Sequence, residues 1–120
     1  MSDEFIRVAT KEIMEELSSI SDLIKSSTND ADIENKSVGI EKHLHKIKGL
    51  APMMGKEDVG KISTIVDHLM KKIIEGNKIS NIRTIVVDAT ILMQKSMGNI
   101  NCDTKTFIDS MGKQFPEALK

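Results

Sequence analysis

A chain of 120 residues can bury a core without metals or disulfides and is read as one domain. Its 17 basic and 18 acidic residues leave no broad field for nucleic acid or an acidic membrane, and without Trp or Tyr it has little surface for stacking bases. The single cysteine, Cys102, excludes an internal disulfide, and every apolar run is too short to span a bilayer. No cationic-then-apolar leader appears at Met1-Ser2-Asp3-Glu4-Phe5, so a reducing, cytoplasmic setting is expected.

Apolar residues recur at steps of three and four along nearly the whole chain, and alternating strand patterns are scarce. An all-α fold follows. The first helix is expected over about Asp3 to Lys25, with Ser2 and Asp3 suiting its start and Ile6, Ala9, Ile13, Leu17, Ile20 and Ile24 on one side. The polar loop Ser26 to Asp30 ends it. A second helix is expected from about Ala31 towards Met54, its stripe Ile40, Leu44, Ile47, Ala51 and Met54 spaced four, three, four and three, with Gly55 as its stop.

Glu57-Asp58 suits the start of a third helix carrying Ile62, Val66, Leu69 and Ile73, halted at Glu75-Gly76-Asn77. A fourth, about Ser80 to Met97, buries Ile82, Ile85, Val86, Ala89, Leu92 and Met93. Its many β-branched residues require packing to hold the helix. After Gly98-Asn99, Asp103 can cap a shorter helix with Phe107, Ile108 and Met111, stopped by Gly112 and followed by Phe115-Pro116. Four long amphipathic helices joined by short loops predict an antiparallel up-down four-helix bundle over about residues 3–98, with the short extra C-terminal helix and tail over 99–120.

The stretch His43-Leu44-His45-Lys46-Ile47-Lys48-Gly49 stands out. With Ile40, Leu44 and Ile47 inward, His45 projects outward, Lys48 lies one turn on at its flank, and Gly49 leaves the surface beyond open. Neutral imidazole, whose unperturbed pKa is about 6.5, is a nucleophile at physiological pH. A transferred phosphoryl group needs nearby positive charge on its oxygens. The outward trio therefore suits phosphoryl chemistry. His43 falls at the edge of the buried stripe, and His68 reads as a boundary or surface residue.

His45-Lys46-Ile47-Lys48-Gly49 matches the H-x-x-K-G motif, and the chain resembles histidine phosphotransfer domains, most of all those at the start of CheA-type chemotaxis kinases. The supporting features are the helix Phe5 to Leu17, the small-residue segment Leu50 to Gly55, the basic Lys42 three residues before the histidine, and the acid at Asp67. The resemblance implies a phosphoryl carrier: His45 the phosphoacceptor through Nε2, Lys48 the phosphate-stabilising cation, Asp67 the acceptor of the His45 Nδ1–H.

It also implies a histidine kinase ATP-binding domain as donor and a response-regulator receiver domain as acceptor, docking near Lys42, Gly49, Pro52 and Thr64. Thr64 stands where the family often has a further histidine, and Asp67 is one carbon shorter than the usual glutamate. Pro52 cannot donate to the Lys48 carbonyl and should change the helix's pitch just past the motif.

No glycine-rich nucleotide loop is present, so the chain is not expected to be a kinase itself, unless it is the first domain of a CheA-like one. No cofactor or metal is expected, since His43 and His45 diverge on a helix and no cysteine joins them. A monomer is expected, with neither nucleic acid nor membrane as partner. The competing expectation is a helical adaptor, a degenerate phosphotransfer fold that docks on signalling partners without being phosphorylated.

Overall fold

The computed structural model describes residues 2–120, and every regular element among them is helical. Helix α1 spans Asp3–Lys25, with the Ser2 hydroxyl accepting from the Phe5 amide at 3.1 Å and acids filling its first turn. Ala9, Ile13, Leu17, Ile20 and Ile24 are buried, while Ile6, at the amino-terminal end of the stripe, is exposed.

The stretch expected as one second helix is divided. A short α2, Asp30–Asn35, capped by Asn29, gives way at Lys36 to α3, Ser37–Leu50. Lys36 holds φ −106° and ψ 8°, off the helical track. Its ammonium donates to the Leu23 carbonyl and to the hydroxyls of Ser26 and Ser27, at 3.2, 2.7 and 2.9 Å. Those three bonds tie the break to the end of α1.

Past Leu50 the backbone tightens into a 3-10 turn, Pro52–Met54, the change of pitch that proline imposes. Gly55 closes it with φ +82°, where an L side chain would be strained. The Lys56 amide returns to the Ala51 carbonyl at 2.9 Å and the Gly55 amide to Pro52 at 3.1 Å, a Schellman closure.

Helix α4, Glu57–Ile74, carries the largest buried face, including Val59, Ile62, Ile65, Val66, Leu69, Met70 and Ile73. Gly60 sits in that face because the Pro52 ring rests on it: a Cβ there would stand 3.0 Å from Pro52 Cγ. Helix α5, Ile82–Met97, starts two residues later than the periodicity suggests. Asn81 takes a left-handed conformation, and the Asp30 carboxylate of α2 accepts the amides of Asn81 and Arg83 at 3.0 and 2.9 Å. Helix α6, Thr104–Gln114, is capped by Asp103 and runs through Gly112 rather than stopping there.

Helix α3 packs on α1 and α4, and α5 packs on α1 and α4 in turn, so the four long helices enclose one contiguous apolar cluster. Helix α6 lies against α4 and adds Met111 to that cluster. Among the described residues no helix is long and apolar enough to cross a membrane.

Candidate functional site

Three α3 residues at steps of four and three, Ile40, Leu44 and Ile47, are fully buried and set the rotation of the helix. His45, one residue past Leu44, is thereby turned outward, and 64% of its side chain is exposed. Lys48, one turn later, is about one-third exposed on the flank facing α4. Gly49 is exposed, and a Cβ built on it would meet nothing within 4 Å. An imidazole, an ammonium and an unobstructed patch of backbone thus share one outer surface of α3.

Helix α4 supplies the counter-charge. Asp67 is only 1% exposed, and its Oδ2 accepts from Lys48 Nζ at 3.1 Å and lies 3.1 Å from Lys71 Nζ, one turn along α4. Burial, the largest single influence, would raise the Asp67 carboxyl. The neighbouring Glu41 carboxyl and the ammonium groups of Lys48 and Lys71 together outweigh it and hold the group below the usual aspartate value. Asp67 in turn raises the Lys71 ammonium. Asp67 Oδ1 has no hydrogen-bond partner among the described residues.

Asp67 makes neither a hydrogen bond nor an ion pair with His45. The carboxylate facing the ring is Glu41, one turn earlier on α3, with Oε2 at 3.8 Å from His45 Nδ1. Asp67 Oδ2 is drawn to the lysines, and the longer Glu41 side chain, on the histidine's own helix, is the one that comes within 3.8 Å of Nδ1. The neighbouring Asp67 carboxylate, then burial, raise the Glu41 carboxyl above the usual glutamate value. Glu41 is the site residue that motif reasoning misses, whereas the pairing of Lys71 with Asp67 at i, i+4 is legible in the sequence as the competing role for that acid. The signal for Glu41 is its i, i+4 spacing to His45.

Glu41, His45 and Asp67 each offer an atom within 4.8 Å of the others, a spacing that three metal ligands can share. Two ammonium groups already oppose the two carboxylates, however, so the local field disfavours a further cation. The two lysines and two carboxylates balance one another in charge.

The other predicted residues surround this centre without joining it. Lys42 is exposed on α3, Pro52 is exposed at the head of the 3-10 turn, and half-buried Thr64 turns its hydroxyl back to the Gly60 carbonyl at 2.7 Å. His43 points the other way around α3, where its Nδ1 meets Glu16 Oε1 at 2.6 Å. His68 lines an open groove bordered by the C-terminal tail at Phe115 and Pro116. No protein-family model matches the chain, and no curated protein or solved structure matches it either.

Proposed function

We propose that the protein is a histidine phosphotransfer domain of a two-component phosphorelay or chemotaxis pathway. It accepts a phosphoryl group on His45 Nε2 from a histidine kinase and passes it to a response-regulator aspartate. The observation that carries this reading is the exposed His45 ring with Lys48 one turn away and Gly49 leaving the adjoining surface bare. The closed ring of α1, α3, α4 and α5 supports an antiparallel up-down four-helix bundle as its frame, with α6 as an appendage.

In this reading Nε2 attacks phosphorus in line with the departing group, and the transferred oxygens carry negative charge that ammonium groups can offset. Lys48 exchanges part of its contact with Asp67 for the phosphoryl oxygens, while Lys71 keeps Asp67 neutralised. Gly49 and Pro52 leave an open approach for a partner's active site, with Lys42 and Thr64 at its margins. The chain acts as a monomeric cytoplasmic carrier without its own nucleotide site.

The test is incubation with a cognate kinase or a small phosphoramidate, followed by detection of an acid-labile, base-stable adduct. Wild type should label at one site; labelling that persists in His45→Gln refutes the reading. The Lys48–Asp67 ion pair favours one alternative, a non-phosphorylated helical adaptor whose lysine is committed to structure. Receiver binding with no phosphoryl exchange would identify that case.

A further inference from the structure

We propose that Glu41 is the positioning residue of the phosphoacceptor: its carboxyl accepts the Nδ1–H of His45, and Asp67 serves to hold Lys48 and Lys71. The inference rests on His45 being the phosphoacceptor, but its principal test does not use phosphorylation.

Three observations converge. His45 Nδ1, not Nε2, is the ring nitrogen turned to Glu41, at 3.8 Å from Oε2. An i, i+4 pair on one helix can close such a gap by side-chain rotation alone, and resting contacts of this kind tighten when the reacting group binds. Asp67 is occupied elsewhere, with Oδ2 between two ammonium groups at 3.1 Å. Its Oδ1 is buried without a partner, and the Glu41 carboxyl has an atom within 4.8 Å of the Asp67 carboxylate. Glu41 therefore has a partner on each side, His45 towards solvent and Asp67 towards α4. It is also four-fifths buried, so its carboxyl is held rather than free to sweep through water.

The consequence for the reaction follows from the ring's two nitrogens. A proton kept on Nδ1 leaves the Nε2 lone pair free. As the Nε2–P bond forms, the donor's P–O bond breaks and its electron pair departs with the leaving group. Positive charge then builds on the ring, where the Nδ1–H shares it with Glu41, and that proton passes to the carboxyl or to water to leave a neutral phosphoimidazole. Both neighbouring lysines stay directed at Asp67 and the phosphoryl oxygens, away from Nδ1.

The test is ¹⁵N NMR of the histidine rings in the intact chain above the imidazole pKa, with His45 assigned by its disappearance in His45→Gln. Wild type should show the Nδ1–H tautomer. Glu41→Ala should move His45 to the Nε2–H form that a free histidine side chain prefers. Glu41→Gln should restore Nδ1–H, because its amide oxygen can accept from the ring while its NH₂ donates to Asp67 Oδ1. Asp67→Asn should leave the tautomer unchanged, and retained dispersion of the amide spectrum would show that each variant folds. Persistence of Nδ1–H in Glu41→Ala, or its loss in Asp67→Asn, overturns the proposal. Failure of His45 to label with phosphate, with these tautomers as expected, would count against the phosphotransfer reading alone.

Discussion

His43 and His45 stand two residues apart on one helix, and each faces a glutamate. The His43 contact is 2.6 Å long, crosses from α3 to α1, and joins a ring 27% exposed to a carboxylate 12% exposed. The His45 contact is 3.8 Å, stays within α3, and leaves the ring 64% exposed. A helix turns about 100° per residue, so two steps carry one imidazole to the interface and the other to its far side. The short bond spends both partners on holding α1 against α3. The loose one leaves most of its ring open to solvent. Proximity in sequence therefore says little about role here; the helix rotation set by Ile40, Leu44 and Ile47 decides it.

The strongest way to break this contrast is to exchange the fates of the two rings. His45→Gln should reduce phosphate labelling to background while changing stability by no more than about 0.5 kcal/mol, as expected for an exposed side chain. His43→Gln should keep the label. Autoradiography or intact mass after phosphoramidate treatment reads both, and labelling lost only in His43→Gln would reverse the assignment.

On stability the order inverts. Glu16→Ala removes the short bond to His43 and the contact with Lys46 at 3.6 Å, and should lower the unfolding free energy by about 1–3 kcal/mol in urea titration. Its effect on labelling should be small.

A subtler prediction concerns Gly49→Ala. Its Cβ meets nothing, so the substitution should raise stability by up to about 1 kcal/mol through helix propensity. It also narrows the approach beside His45, and phosphoryl transfer to a receiver should slow, read by single-turnover dephosphorylation. A variant that gains stability and transfers at the wild-type rate would remove Gly49 from the docking surface.

The smallest effect lies in acid. Asp67 is held below its ordinary value, so its stabilisation is complete above that value and is lost as pH falls through the depressed one. Glu41 is held above its ordinary value, so its contribution has the opposite sign: present in acid, and lost as pH rises through the raised value. The two titrate as a pair. Thermal melts between pH 7 and pH 2 should show Asp67→Asn losing less stability on acidification than wild type.

Much of the helical pattern could be read from spacing, because each long stripe repeats the α-helical period often enough to be unambiguous. The division at Lys36 could not. Neither proline nor glycine marks it, and its cause is a set of bonds to Leu23, Ser26 and Ser27 on another helix. The late start of α5 is of the same kind, fixed by Asp30 reaching across 51 positions to the Asn81 amide.

At the site, the outward register of His45, Lys48 and Gly49 is legible because it depends on one helix alone. The placement of Asp67 against the lysines rather than the imidazole depends on how α3 crosses α4, and on the length of one side chain. Spacing along the chain contains neither. Glu41 lay in plain view one turn before His45, but its importance shows only once Asp67 is seen to be engaged elsewhere.

The seating of the Pro52 ring on Gly60 has a mechanical side. It works as a detent: the tail of one helix is indexed against its neighbour, and axial slippage between them would have to lift the ring out of its notch. The centre assembled from both helices is thereby kept in step by a contact that touches none of its charged groups. Bulk introduced at position 60 would reach the imidazole as a displacement, without altering any residue around it.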